Sequence, residues 1–179
     1  MNLSAEERRL VRSTWALVSA NRNEAGVELF IRSVCLYFCF LLWNSFFFFS
    51  LFTAHPKYLA FFSFRDVEDL EVLRTDRRLK AHVRNVMYSF SMLVDNLEEE
   101  EEVLEEMIAK IAANHRRRKL NAGDFARLKT ALLGLLTDSL GTDVMTAEAT
   151  TAWSKTYDLL VDAMKDNGGD DDGEKQWWS

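Results

Sequence analysis

Apolar residues recur at steps of three and four through most of this chain, and in two places the recurring position is taken by a histidine. Leu104, Ile108, Ile111 and His115 follow at four, three and four; Leu79, His82, Val86, Phe90 and Leu93 follow at three, four, four and three. A helix turns once in about 3.6 residues, so each set shares one face, the face a globular chain buries. A single inward histidine is an ordinary core residue. Two of them on separate helices could clamp a metal or a flat cofactor, because neutral imidazole is the commonest protein metal ligand.

The rest of the chain agrees with helix. One proline and seven glycines in 179 residues, 48% of them hydrophobic, give an all-α chain large enough for one substantial core, and no interior stretch reads as a linker. The net charge of -6 argues against nucleic acid as a partner, because phosphate contacts need a basic face. The one dense basic run, Arg116 to Lys119, reads either as a solvated helix end or as a contact with an anionic cofactor edge beside His115. Cys35 and Cys39 lie four apart with neither a disulfide framework nor the usual zinc spacing, and the N-terminus shows no export pattern, so the expected location is cytoplasmic.

In chain order, Ser4 and Glu7 form a capping box that starts a helix whose buried face is Leu10, Val11, Trp15, Leu17 and Val18. A second helix is expected from about Glu24 to Arg32, with Val27, Phe30 and Ile31 inward. Pro56 suits the first turn of a short helix, with His55 near the surface, and Phe61, Phe62 and Phe64 read as core. Arg65 to Arg74 reads as a loop or short helix. Seven glutamates between Asn96 and Glu106 repel one another and predict a solvated turn before the His115 helix.

Beyond the break at Asn121 to Asp124, Phe125, Leu128, Leu132, Leu135, Leu136 and Leu140 mark a long helix that Gly141 closes. Thr146 caps a last helix buried through Ala149, Trp153, Tyr157, Leu160, Val161 and Met164. Residues 166–179 are acidic and glycine-rich and predict a disordered tail.

Taken together, these motifs resemble the globin family, with similarity to neuroglobin-like and invertebrate intracellular globins. Phe30-Ile-Arg32 with Leu51-Phe-Thr-Ala-His-Pro56 looks like the junction of the second and third globin helices, followed by the family's near-universal aromatic at Phe62. Leu79-Lys-Ala-His82 looks like the distal-histidine helix, Ala113-Asn-His115 like the proximal one, and Ala152 to Met164 like the last helix. The resemblance implies a globin fold of seven to eight helices over residues 1–165 enclosing a heme pocket.

One block falls outside that resemblance. From Val34 to Phe49, fourteen of sixteen residues are apolar or aromatic, a length just short of a bilayer span. Removing Ser33 to Ser50 joins Arg32 to Leu51 and restores continuous globin text. The four phenylalanines Phe46 to Phe49 spell a pyrimidine tract, Ser50 allows the AG of a 3′ splice site, and a split arginine codon restores Arg32. The block is therefore read as a translated intron of 18 codons, which a predominant transcript retaining those 54 bases would overturn. The rival reading is a membrane-inserted segment, which would part the first two helices from their own core.

The globin resemblance further implies that His115 binds heme iron on the proximal side, its second ring nitrogen donating to a nearby carbonyl. His82 would face the sixth position with Val86 narrowing access. Phe62, Val86, Ile111 and Leu120 would supply apolar contact, and Lys119 would pair with a propionate. Such a protein binds dioxygen, nitric oxide or carbon monoxide with a reductase as partner. No nucleophile triad, phosphate loop or paired-carboxylate site points to an enzyme, beyond minor heme redox activity. If His82 ligates iron itself, sensing, redox or nitric-oxide chemistry fits better than transport. A helical interaction protein without heme is the remaining alternative.

Overall fold

The computed structural model describes residues 3–20, 25, 27, 56–67, 69–99 and 101–165. Among them are six α-helices and one 3₁₀ helix, with no strand. Helix α1 is Ala5–Ser19, the 3₁₀ helix is Pro56–Phe61, α2 is Leu70–Thr75, α3 is Arg77–Asp95, α4 is Glu101–Arg116, α5 is Ala122–Leu140 and α6 is Ala147–Lys165. The architecture is all-α, as the spacing requires. Ser33 to Ser50, the cysteines, His55 and residues 166–179 lie outside the described residues.

Local chemistry fixes the helix ends. Ser4 accepts from the Glu7 amide at 3.2 Å and Glu7 accepts from the Ser4 amide at 2.8 Å, which satisfies two amides that have no partner within the helix. Asp76 caps α3 through the Arg78 amide at 2.7 Å, and Asn121 and Asp124 form a second reciprocal box at the start of α5. Gly141, at φ 77, ends α5 with its amide on the Thr137 carbonyl, a left-handed conformation glycine adopts without strain. Thr146 accepts from the Ala149 amide at 3.3 Å. The glutamate run divides between a solvated turn and the exposed first turns of α4.

The core lies where α6 crosses α1, α4 and α5. Trp153 of α6 is 1% exposed, its ring centroid 5.7 Å from that of Trp15, and its indole donates to Thr14 Oγ1 at 2.8 Å. Trp15 in turn meets Phe90 of α3 at 5.9 Å and donates to Ser91 at 3.1 Å. Burial of Ala149, Trp153, Tyr157, Leu160, Val161 and Met164 is as the spacing predicts.

Two expectations change, for Leu17 and for Phe61. Leu17 is 57% exposed, because α1 docks through the narrower stripe Val11, Thr14, Trp15 and Val18. Thr14 is buried because its hydroxyl has partners: it donates to the Leu10 carbonyl at 2.7 Å and accepts from Trp153. Phe61 is 45% exposed on the 3₁₀ helix, while Phe64 takes the core position at 1%.

Helix α1 shares one core with α3, α5 and α6. Among the described residues no helix is long and apolar enough to cross a membrane.

Candidate functional site

Helices α3 and α4 carry the two inward histidines and pack against each other. Along α3 the stripe goes from fully buried Leu79 through half-buried His82 and Val86 to buried Phe90 and Leu93. On α4, Leu104 and Ile108 are buried while Ile111 and His115 are half-buried. Phe62 and Leu120 have the same intermediate burial, and Phe62, Val86, Ile111 and Leu120 all pack against the core from outside it. Six of the seven predicted site residues thus sit on inward positions that the chain itself does not finish covering.

His115 is oriented from within its own helix. Its Nδ1 lies 2.7 Å from the Ile111 carbonyl, so Nδ1 carries the proton and Nε2 keeps the lone pair. Phe125 of α5 meets the imidazole edge-on at 5.1 Å. Past Arg116 the chain closes in a Schellman motif: the Leu120 amide donates to the His115 carbonyl at 3.2 Å, the Lys119 amide donates to the Arg116 carbonyl at 2.7 Å, and Lys119 takes φ 63. This turn brings Leu120 back onto the core and leaves Lys119 exposed.

The basic run does not act as a unit. Arg116 donates to the Ala163 carbonyl of α6 at 2.7 Å, and Arg118 donates to the Asn114 carbonyl at 2.9 Å. Arg117 and Lys119 are exposed.

His82 stands among aromatics. Phe62 meets its ring edge-on at 4.8 Å and stacks on Phe64 at 4.8 Å, and Phe64 lies 6.4 Å from the imidazole. Burial pushes the His82 imidazole down to about 4, and the charges of His115 and Arg118 add to the effect. Burial also lowers His115, against the opposing pull of the Ile111 carbonyl. Both rings are therefore neutral at neutral pH, the state in which imidazole coordinates metal.

A folded-state value below the ordinary 6.5 means that the unfolded chain takes up a proton the folded chain refuses. Stability from His82 is thus full above about 6.5 and is lost as pH falls toward 4. Between pH 7 and pH 5 the heme-free protein is expected to lose about 2 kcal/mol from this residue. Urea unfolding at the two pH values checks it: the difference shrinks by that amount in His82→Leu, and an unchanged difference would refute it.

The residues present fit heme. α3 and α4 each carry one inward, half-buried imidazole, close enough for the charge of His115 to act on His82; the proximal candidate keeps its Nε2 lone pair available, and half-buried apolar side chains accompany both. The place of Phe64 beside His82 was not legible in the sequence: Phe64 read only as core, and nothing in its spacing marks it as a neighbour of His82.

Comparison with known proteins agrees with this geometry. The globin family model matches residues 45–164. The chain is similar to cytoglobin-1 of Oryzias latipes, 29% identical over 164 residues that cover 91% of this chain and 82% of that protein. It is likewise similar to cytoglobin-2 of Danio rerio, 29% identical over 158 residues covering 88% and 78%. These relatives are cytoglobins, so the neuroglobin-like likeness is carried at the level of the family. Among solved structures, ferric Aplysia limacina myoglobin with azide shares the fold at a TM-score of 0.74 and 21% identity, covering 94% of this chain and all of that one. With the family match spanning more than half of the chain and the helical frame in agreement, this protein belongs to the globin family.

Proposed function

We propose that this globin holds heme between α3 and α4 and reversibly binds dioxygen or another diatomic gas, with His115 as the proximal iron ligand. The observation that carries the reading is the 2.7 Å contact between His115 Nδ1 and the Ile111 carbonyl, which fixes the tautomer and leaves Nε2 for iron. Heme iron supplies reversible coordination of a diatomic ligand. The chain supplies the rest. Phe62, Val86, Ile111 and Leu120 offer apolar contact to the macrocycle, Lys119 offers a cation to a propionate, and His82 offers an N–H or a lone pair at the sixth position. Dioxygen, nitric oxide and carbon monoxide are the ligands this chemistry accepts, and a reductase is the partner that keeps the iron ferrous. The cytoplasm is the location the reading favours, since Cys35 and Cys39 show no disulfide framework.

The neutral state of His82 supports a second reading, in which it ligates iron directly and external ligands must displace it. This reading favours redox, sensing or nitric-oxide chemistry. An anaerobic visible spectrum of the dithionite-reduced, hemin-reconstituted protein decides. One broad visible band supports the open gas-binding site, and sharp split bands support the bis-histidyl form. A spectrum no different from free hemin overturns both and leaves a helical interaction protein.

The same reading takes residues 1–165 as one domain with Ser33 to Ser50 foreign to it. One finding supports the single domain: α1 and the later helices share a core.

A further inference from the structure

Arg78 lies four residues before His82, one turn earlier on α3, and its guanidinium reaches three anchors. Nη1 donates to the Ser63 carbonyl at 2.7 Å and to Asp66 Oδ1 at 2.7 Å. Nη2 donates to Asp66 Oδ2 at 3.2 Å and to Asp76 Oδ2 at 2.9 Å. Asp76 is at the same time the cap of α3, so one side chain ties the helix start to the loop that follows the 3₁₀ helix. Ser63 sits between Phe62 and Phe64, the two rings that stand against His82.

We infer that Arg78 is a positioning residue for the sixth coordination position: by pinning the Phe62 to Asp66 loop onto α3, it holds the aromatic brace that restricts the His82 ring. The inference rests on the proposed heme-binding function and adds a residue to it that touches neither heme nor gas.

Energy alone does not give the clamp its effect. Asp66 is 66% exposed and Arg78 41%, and ion pairs in that setting are worth roughly 0–1 kcal/mol. Its effect is geometric. A guanidinium is a rigid fork, and bonds to one carbonyl and two carboxylates leave it little freedom. Phe64 anchors the loop in the core, and its backbone is held by local turns, the Arg65 amide on the Phe62 carbonyl at 3.3 Å and the Val67 amide on the Phe64 carbonyl at 3.1 Å; Arg78 adds the tie to α3. A preorganised His82 engages the sixth position without first losing side-chain freedom. Freed from the brace it must pay that ordering, and its hold weakens.

The test uses the full chain with Arg78→Met, which keeps side-chain length and removes every donor, alongside Asp66→Asn and Arg78→Lys. In the heme-free protein, amide hydrogen exchange at Arg65 and Val67 is expected to speed up several-fold in Arg78→Met, with the Trp153 region unchanged. In the hemin-reconstituted, reduced protein the dioxygen dissociation rate is expected to rise several-fold, part of the way toward His82→Leu. Asp66→Asn should show a smaller rise and Arg78→Lys a value between wild type and Arg78→Met. A dioxygen dissociation rate in Arg78→Met equal to wild type overturns the inference, as does unchanged exchange at Arg65 and Val67. Failure of the wild-type chain to form a heme spectrum overturns the proposed function instead, and the exchange measurement still reads the clamp.

Discussion

Replacing His115 by glycine is expected to weaken hemin retention by more than about 100-fold, since even loss of a hydrogen-bond partner behind a metal-ligating histidine costs roughly 10–100-fold. The variant removes the imidazole whose Nδ1 the Ile111 carbonyl fixes and leaves an imidazole-sized gap beside Phe125. Transfer of hemin to an excess of an apoglobin acceptor, followed at the Soret maximum, measures the change. Free imidazole at millimolar concentration should recover a histidine-like spectrum, because it can enter the gap and present the same nitrogen. His82→Leu is the necessary contrast: it keeps the proximal bond, so hemin loss should change far less than in His115→Gly. Equal hemin loss in the two variants would show that His115 is not the ligand that holds the group.

The largest effect on folding belongs to Trp153. Truncation to alanine is expected to cost about 3–5 kcal/mol, the range for emptying an aromatic position in a core. Trp153 is 1% exposed, packs on Trp15 and donates to Thr14, so the cavity would open where α1 crosses α6. A melting temperature lower by about 10 °C or more is the expected reading. Trp153→Phe separates the contributions. It keeps most of the ring but loses the indole N–H, and should cost about 1 kcal/mol for the hydrogen bond plus the smaller loss of packing. Thr14 retains its own donation to the Leu10 carbonyl, so no buried donor is stranded there. A melting temperature unchanged in Trp153→Ala would mean that α1 contributes little to the core.

Much of the fold was legible because its signals are local. The capping pairs Ser4 with Glu7 and Thr146 with the Ala149 amide close within a turn of chain, and the glycine that ends α5 needs only its own backbone angle. The face that α6 buries follows from a spacing of three and four, which any helix must translate into one stripe. That His82 and His115 both face inward was legible for the same reason: each continues an apolar stripe.

Periodicity names a face but not what covers it. Leu17 and Val18 are neighbours on α1, and only the angle at which α1 crosses its partners puts Val18 at 5% exposure and Leu17 at 57%. Phe61 read as core but is 45% exposed, because a 3₁₀ helix, with three residues per turn, rotates its side chains differently from an α-helix. Arg78 shows the same limit at the site. Its place one turn before His82 could be counted from the chain, yet the Ser63 carbonyl and the Asp66 carboxylate reach it only once the loop folds back over α3.

By itself, then, the amino-acid order determined which residues lie on which helix, where most helices start and stop, and that two imidazoles face inward, since these depend on neighbours within a few residues. Only the tertiary structure decided how deep each residue lies. It left Phe62, His82, Val86, Ile111, His115 and Leu120 half-covered rather than buried, and it brought Phe62 against His82 and the Ser63 carbonyl onto Arg78, because coverage and contact between distant segments depend on how whole helices cross.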